Sequence, residues 1–425
     1  MSSHSLLRAF VLTACLGLTA TACGGGGTTA GTDATASGSA APSASEGAAP
    51  ERAGADLVIW ADDKRAAALK TVAEEFGEAN DITVAVQAVS EDLQTNFVTA
   101  NSAGNGPDVV VGAHDWIGNM VQNGAIDPLN LPEAQRAQFT DIALRGVTYD
   151  GKTYGLPYAV ESVALFRNTA LVPDAPATIE DLVATGKASG AENPLCLQQG
   201  LEGDAYHMYP LYSSAGGYLF GQSPDGDYDP ADLGVGGPGS IAAAQKVSAL
   251  AKEGVLKTSI SGDNSISLFA EGRCAYLVSG PWATADVEKA GIGYALTPVP
   301  GFAGMGPAQP LTGVQAFYVA SKGENKSFAE SFVLDAAAST ETMDALYSAE
   351  PRPSALKESL AQQTAADADT AVFAQAAEGG QILPAIPQMA GVWEPLGKGH
   401  AAVINGADPA QTMTSTGEAI RANLG

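Results

Sequence analysis

The sequence predicts an α/β protein with two lobes. Residues 57–111 alternate between short apolar strands and amphipathic helices, which is typical of a mainly parallel sheet flanked by helices. The chain from residue 55 to residue 425 is also long enough to form two separate hydrophobic cores.

The predicted alternation begins a β-α-β-α-β unit. Its strands and helices are a strand at 57–60, a helix at 64–80, a strand at 82–86, a helix that carries Leu93 and Phe97, and a strand at 109–111. The turn Gly106-Pro107-Asp108 precedes the last strand. In open sheets of this kind, ligands bind in the crevice outside the carboxyl ends of the strands.

Two polar clusters follow strands at this edge of the predicted sheet. Asp62, Asp63 and Lys64 follow the first strand, and His114, Asp115 and Trp116 follow the third. A carboxylate accepts hydrogen bonds from hydroxyl groups, each contributing about 1.5–3 kcal/mol, and a tryptophan ring stacks on the apolar face of a sugar. The clusters therefore favour a hydroxyl-rich ligand. The alternative is that Asp62 and Asp63 only cap the following helix.

The amino-terminal segment predicts export and lipid anchoring. Residues 1–22 form a short apolar leader that ends in small residues, which is typical of a signal peptide. Cys23 directly follows and resembles the lipidated cysteine of bacterial lipoproteins, which carries fatty acids such as palmitate. The alternative is Cys15 after Leu12-Thr13-Ala14, which leaves almost no apolar segment in front of it. Residues 23–54 are rich in Gly, Ala, Ser and Thr and predict a flexible linker. We expect the protein on the extracytoplasmic face of the cell membrane.

Composition excludes several classes of partner and cofactor. The net charge of −26 argues against nucleic acid as a ligand. After Cys23 the remaining cysteines are Cys196 and Cys274, and in an oxidising compartment they predict a disulfide, with two free thiols as the alternative. The histidines show no metal-ligand spacing, so we predict neither a metal site nor another cofactor.

Matching blocks along the whole body resemble the maltose-binding family of extracellular solute-binding proteins. The blocks are Val58-Ile59-Trp60 with Asp63-Lys64, Gly106-Pro107-Asp108 with Ala113-His114-Asp115, Pro157-Tyr158-Ala159-Val160-Glu161, Tyr209-Pro210, Gly216-Gly217-Tyr218, Gly280-Pro281-Trp282-Ala283, Gly313-Val314, and Ile386-Pro387-Gln388-Met389 with Trp393. They occur in the order and near the spacing of that family.

The resemblance implies the two-lobed type II fold of periplasmic binding proteins and its transport role. One lobe would contain residues 55–160 and 312–362, and the other residues 161–311 and 363–425. The hinge would lie near residues 160–163 and 310–313. Such a protein is expected to be a monomer that closes over maltose or a maltooligosaccharide and presents it to the permease of an ABC transporter.

The resemblance also implies a set of ligand-binding residues. Asp63, Lys64, Asp115 and Glu161 would bond sugar hydroxyls, Asp204 stands where the family has a glutamate, and Tyr206, Trp282 and Trp393 match stacking aromatic residues. Asp62, Trp116 and Glu394 complete the candidate set.

Four positions depart from the family and put the exact sugar in doubt. Gly112 replaces a stacking tryptophan and Trp116 an arginine, so Trp116 is expected to restore a stacking surface. Glu394 and Gly397 replace a tyrosine and an arginine. Trehalose or a cyclodextrin therefore remains an alternative to maltooligosaccharides.

Three other functions compete with sugar transport. A solute-binding protein of this fold could carry a polyamine, which suits an acidic cleft. A glycosidase would use two cleft carboxylates as its acid and base, but the matching family residues only bind, so we predict that the protein is not an enzyme. A sensor would present its closed form to another partner.

Overall fold

The computed structural model describes residues 50–223 and 227–424. The predicted signal peptide, Cys23 and most of the predicted linker lie outside these residues.

The strands alternate with helices along the chain. The strands are β1 (Leu57–Ala61), β2 (Val84–Ala88), β3 (Val109–Ala113), β4 (Thr148–Tyr149), β5 (Lys152–Thr153), β6 (Gly155–Glu161), β7 (Ala164–Asn168), β8 (Asn193–Leu197), β9 (Phe220–Gln222), β10 (Tyr228–Leu233), β11 (Cys274–Ser279), β12 (Tyr294–Thr297), β13 (Leu311–Val319) and β14 (Gln381–Ile382).

The helices lie between the strands along the chain. The α-helices are α1 (Asp63–Asn80), α2 (Leu93–Ala103), α3 (Ile117–Gln122), α4 (Glu133–Arg136), α5 (Asp141–Gly146), α6 (Ile179–Ala188), α7 (Ala205–Ser214), α8 (Pro238–Lys252), α9 (Ser265–Ala270), α10 (Thr284–Lys289), α11 (Lys326–Ser331), α12 (Thr340–Ala349), α13 (Lys357–Ala366), α14 (Ala368–Glu378), α15 (Trp393–Ile404) and α16 (Pro409–Leu424). Short 3-10 turns occur at His114–Trp116, Pro281–Ala283 and Pro387–Gly391, and Phe332–Ala336 is a π-helical turn.

The first predicted helix shows how local sequence sets these bounds. Asp62 caps α1 by accepting a hydrogen bond from the backbone N–H of Arg65, which satisfies a donor that the first helical turn leaves unpaired. Leu69, Ala73 and Phe76 recur at helical spacing and are buried. The helix ends where Asp81 adopts a left-handed conformation.

The first lobe is built on a six-stranded sheet. Strands β2, β1 and β3 are parallel, as the β-α-β-α-β pattern predicts. Strand β13 lies next to β3 and runs antiparallel to both β3 and β6, and β14 pairs with the first residues of β13.

The second lobe contains a four-stranded sheet with the order β12-β7-β11-β8. Only the pair of β8 and β11 is parallel; β7 is antiparallel to both β11 and β12. This sheet is therefore mixed rather than mainly parallel. The chain enters β7 directly from the first lobe, so no helical crossover forces it to run parallel to its neighbours.

Each lobe has its own hydrophobic core. The first core contains buried residues from 57–160 and from 314–356, together with Ala377. The second lobe holds two further clusters, drawn mainly from residues 163–311 and 373–420. The predicted two-lobed α/β fold is confirmed, while the predicted lobe boundaries stay a prediction.

Two neighbouring strands carry the chain between the lobes. Glu161 at the end of β6 pairs with Gly313 of β13. The hydroxyl of Ser162 donates a hydrogen bond to the carbonyl oxygen of Leu311 (3.1 Å). These contacts lie within the segments predicted as the hinge.

Contacts with the first lobe begin before the predicted end of the linker. The guanidinium of Arg52 donates to the carbonyl oxygen of Gly106 (2.8 Å) and to the buried carboxylate of Asp108 (2.8 Å). The backbone N–H of Ala53 donates to Gln87. Arg52 and Ala53 therefore contact the first lobe, and the linker boundary at residue 54 stays a prediction. None of the helices in the described part of the chain is long and apolar enough to cross a membrane.

Candidate functional site

A cavity of about 590 Å³ is lined by residues from both lobes. Its lining consists of Asp115, Glu161, Glu202, Gly203, Asp204, Ala205, Tyr206, Leu383, Trp393 and Glu394. Six of the predicted ligand-binding residues are in this set: Asp115, Glu161, Asp204, Tyr206, Trp393 and Glu394. Their binding role stays a prediction.

Asp115 enters the cavity from the 3-10 turn that follows β3. Burial, together with the nearby charge of Glu161, raises the pKa of its carboxyl group to about 6. The raised pKa means that the site disfavours a negative charge at this position unless hydrogen-bond donors are supplied.

Glu161 stands at the end of β6, where the chain leaves the first lobe. One carboxylate oxygen accepts a hydrogen bond from the side-chain amide of Gln315 (2.9 Å), and the other accepts from the guanidinium of Arg352. Burial opposes ionisation, but the charges of Arg352 and Arg65 and these hydrogen bonds outweigh it, so the pKa of Glu161 is lowered. Glu161 is thus an ionised acceptor in a fixed orientation.

Asp204 and Tyr206 come from the start of α7 in the second lobe. Asp204 caps this helix, because its carboxylate accepts from the backbone N–H of His207 (2.8 Å), and it also lies 3.1 Å from the His207 ring. The hydroxyl of Tyr206 is buried and has no hydrogen-bond partner among the described residues. A buried, unpaired hydroxyl costs free energy unless a ligand or water satisfies it.

Trp393 and Glu394 begin α15 and close the second-lobe side of the cavity. Glu394 is exposed and pairs with Lys398 (2.6 Å). One turn further on, Gly397 packs against the backbone of Gly203, and a Cβ atom at either position would overlap the other chain segment. This contact explains why no arginine side chain occupies position 397.

Two tryptophan rings lie over glycines near the cavity but do not line it. The ring of Trp116 covers Gly112, and that of Trp282 covers Gly280. A Cβ atom on Gly112 would lie 2.0 Å from the Trp116 ring and one on Gly280 would lie 2.2 Å from the Trp282 ring, too close for either ring to stay in place. Trp282 also packs against the ring of Tyr206 (6.3 Å between centroids). Trp116 therefore excludes a side chain at position 112, and its predicted role as a replacement stacking surface stays a prediction.

The predicted cluster after β1 is not brought to the cavity. Asp62 caps α1 and forms an ion pair with Arg65, as in the capping alternative. Asp63 accepts a hydrogen bond from Ser90 (2.6 Å), and Lys64 lies 3.2 Å from Glu350. The first turn of α1 thus satisfies these groups locally.

Sequence reasoning missed several polar residues around the site. Arg65 donates to the hydroxyl of Tyr158, and Arg352 bonds both Glu161 and Glu350. Arg65 directly follows the predicted Asp62–Lys64 cluster, so its position was a usable signal. Arg352 is 191 residues from Glu161 and had no such signal.

His114 ties the turn before Asp115 to the crossing strands. The backbone N–H of Val314 donates to Nδ1 of His114 (2.9 Å), so the proton lies on Nε2, which donates to the carbonyl oxygen of Leu383 (2.9 Å). Burial lowers the pKa of His114 to about 4. This histidine is a neutral structural bridge.

Cys196 in β8 and Cys274 at the start of β11 form a disulfide in the structure. Strand β8 leads to the Asp204 loop and β11 leads to Trp282, so the bond joins two supports of the second-lobe side of the site.

Two α/β lobes linked by crossing strands, with carboxylates from both lobes and aromatic side chains from the second lobe around one cavity, define the class of two-lobed ligand-binding proteins. Residues 71–374 match the family described as bacterial extracellular solute-binding protein. The chain belongs to this family, as the matching sequence blocks predicted.

Related binding proteins align with 76% to 90% of this chain. The galactooligosaccharide-binding protein of Bacillus subtilis is 29% identical over 394 residues, 90% of this chain and 93% of that protein. The maltodextrin-binding protein MdxE of the same organism is 27% identical over 76% of this chain and 79% of that protein. The maltotriose-binding protein of Pyrococcus abyssi is 26% identical over 79% and 75%.

Proposed function

We propose that this protein binds a maltooligosaccharide between its lobes and delivers it to the permease of an ABC transporter. The observation that carries the proposal is the cavity lined by Asp115 and Glu161 on one side and by Asp204, Tyr206 and Trp393 on the other. Carboxylates accept from sugar hydroxyls and aromatic rings pack on the apolar faces of sugars, so the lining provides both kinds of contact.

Closure follows from the position of these groups. A ligand that bonds residues of both lobes makes all of its contacts only when the lobes are together, and that difference in contacts favours the closed form. The buried Tyr206 hydroxyl and the protonatable carboxyl of Asp115 are the groups that would gain most from a sugar hydroxyl.

A galactooligosaccharide is the second candidate ligand. The relative with that name matches 90% of this chain, whereas the relatives named for maltodextrin and maltotriose match 76% and 79%. Both candidates are uncharged oligosaccharides, and the lining does not distinguish the glycosidic linkage.

A polyamine fits the lining less well. Glu161 is already paired with the cation Arg352, and Glu394 with Lys398, so part of the carboxylate charge that would attract a polycation is compensated. Tyr206 and Trp393 do not separate the two ligands, because an aromatic face packs on a sugar and also attracts an ammonium group.

We also propose that the protein does not catalyse hydrolysis. The pKa of Asp115 is raised and that of Glu161 lowered, a pattern that acid and base pairs in glycosidases share. Glu161, however, uses one lone pair of each oxygen on Gln315 and Arg352, which restrains it from moving to a reacting carbon. Chromatography of maltotriose incubated with the protein should show no shorter sugar.

The anchor remains part of the proposal. Cys23 would be lipidated and the predicted linker, up to residue 54, would tether the body to the outer face of the cell membrane as a monomer. Mass spectrometry of the protein extracted from membranes tests this assignment, because a Cys23 without a lipid adduct would exclude it.

Isothermal titration tests the ligand. The full chain with Cys23→Ser would be titrated with maltose, maltotriose, longer maltodextrins, cyclodextrin, trehalose, galactooligosaccharides and spermidine. We expect binding of one oligosaccharide series in the micromolar range or tighter. Trp282→Ala and Asp115→Ala should each lower the affinity by at least about tenfold, since each removes a group at or directly behind the lining.

The control for both variants is Arg273→Gln on the surface of the second lobe. Arg273 bonds the exposed residues Glu192 and Glu271 and does not line the cavity. Heat from spermidine with none from any sugar would overturn the proposal.

A further inference from the structure

Arg352 is a largely buried cation at the edge of the site, in the link between α12 and α13. Its side chain is 11% exposed and bonds two carboxylates that are equally buried, Glu161 at 15% and Glu350 at 13%. The Nε donates to Glu161 and Nη1 donates to Glu350. This forked arrangement fixes the direction of the guanidinium and of both acids.

The contacts of Glu161 leave it free to bind a further donor. Gln315 and Arg352 each occupy one oxygen, and each carboxylate oxygen has two acceptor positions. Glu161 therefore keeps acceptor capacity while it is held from two sides. It is also one of the residues that line the cavity.

The surrounding charges are balanced around this pair. Lys64 lies 3.2 Å from Glu350, and Arg65 pairs with Asp62 and donates to Tyr158. The network thus matches the cations Lys64, Arg65 and Arg352 with the carboxylates Asp62, Glu161 and Glu350. The network is therefore balanced in charge within a protein whose net charge is −26; Asp115, which lines the cavity beside Glu161, is not part of it.

We propose that Arg352 is a positioning residue that orients Glu161 toward a sugar hydroxyl and cancels its charge, which makes the site selective for uncharged oligosaccharides over polyamines. This inference rests on the proposed function. Without Arg352, a buried carboxylate would lack its main counter-ion and would either bind a proton or attract a cationic ligand.

The variants Arg352→Gln, Glu161→Gln and their combination test the proposal by a double-mutant cycle. Arg352→Gln in the full chain with Cys23→Ser should weaken binding of the preferred sugar by at least about tenfold, or about 1.4 kcal/mol. If Arg352 acts through Glu161, the same change in the Glu161→Gln background should have little further effect on sugar affinity. Spermidine should bind Arg352→Gln detectably but not the parent or the Glu161→Gln chain.

A matched surface control and a conservative variant separate positioning from folding. Arg273→Gln removes an arginine that also bonds two carboxylates, Glu192 and Glu271, but is 46% exposed, and it should change neither ligand profile. Arg352→Lys keeps the charge and should retain discrimination against spermidine even where sugar affinity falls. Thermal unfolding of every variant reports loss of structure independently of binding.

Two outcomes would overturn the inference while leaving the proposed function intact. One is unchanged sugar affinity in a folded Arg352→Gln chain. The other is a loss of affinity that adds fully to that of Glu161→Gln with no gain of spermidine binding. A parent chain that binds none of the sugars would instead overturn the proposed function and this inference with it.

Discussion

Each lobe uses the same local device next to the site, a tryptophan in a 3-10 turn whose ring lies over a glycine, but the two devices carry different chemistry. In the first lobe the turn is His114–Trp116 and the glycine is Gly112. In the second lobe the turn is Pro281–Ala283 and the glycine is Gly280.

The two turns differ in what stands beside the tryptophan. The first contains Asp115, which lines the cavity, and His114, which bonds the crossing strand β13. The second contains only apolar neighbours, and Trp282 supports the ring of Tyr206. The comparison teaches that the first-lobe turn supplies a carboxyl group and the second-lobe turn supplies support for an aromatic ring, although the backbone route is alike.

The largest expected effect concerns a bond that only the second lobe has. The disulfide of Cys196 and Cys274 joins residues 78 apart in sequence, and removing a bond across a loop of that size is expected to cost about 2–4 kcal/mol. Cys196→Ala with Cys274→Ala should therefore lower the unfolding free energy in denaturant by that amount.

The sugar affinity of the same double cysteine variant tests whether the disulfide also supports the second-lobe side of the site. Since the bond supports the Asp204 loop and the strand before Trp282, we expect weaker binding as well as lower stability. Reducing agent should shift the parent chain toward the variant and leave the variant unchanged. Equal stability of the reduced and oxidised parent would show that the bond contributes nothing to the second lobe.

The next effect tests whether the two glycines are equivalent. Gly112→Ala and Gly280→Ala each place a methyl group in steric clash with a tryptophan ring, and overpacking of this kind typically costs about 1–3 kcal/mol. Both variants should lose stability in chemical denaturation. In a chain that already carries Trp116→Ala, Gly112→Ala should cost less stability, because the ring that clashes is gone. Trp282→Ala should do the same for Gly280→Ala, and neither tryptophan change should help the other glycine variant.

Sugar affinity should distinguish the Gly112–Trp116 pair from the Gly280–Trp282 pair. Gly280→Ala displaces the ring behind Tyr206 and is expected to weaken binding more than Gly112→Ala. The reverse order would mean that Trp116, rather than Trp282, forms the main stacking surface.

The sequence predicts the features that depend on residues close together in the chain. The unit from β1 to β3 follows from strand and helix periodicity, and the capping role of Asp62 is one of the two roles that its position before a helix allows. The insertion of β13 between β3 and β6 depends on pairing across more than 150 residues, as in the bond of Gln315 to Glu161 (154 apart). No local pattern reports such a pairing, which is why Arg352 and Gln315 were missed while their partner Glu161 was predicted.

The smallest effect is a pH dependence that only the first-lobe turn should produce. Burial raises the pKa of Asp115 from 3.8 to about 6. Between these pH values the unfolded chain binds fewer protons at Asp115 than the folded chain does, so the contribution of Asp115 to folding stability falls as pH rises through that window.

Sugar affinity should change in the opposite direction. Sugar hydroxyls donate to the ionised carboxylate, so affinity should drop by about tenfold between pH 7 and pH 5 as Asp115 takes up a proton. Asp115→Asn should bind more weakly at pH 7 and lose most of this slope, measured by titration calorimetry at several pH values. The same slope in Asp115→Asn would assign the titration to another group and remove the chemical difference drawn between the two turns.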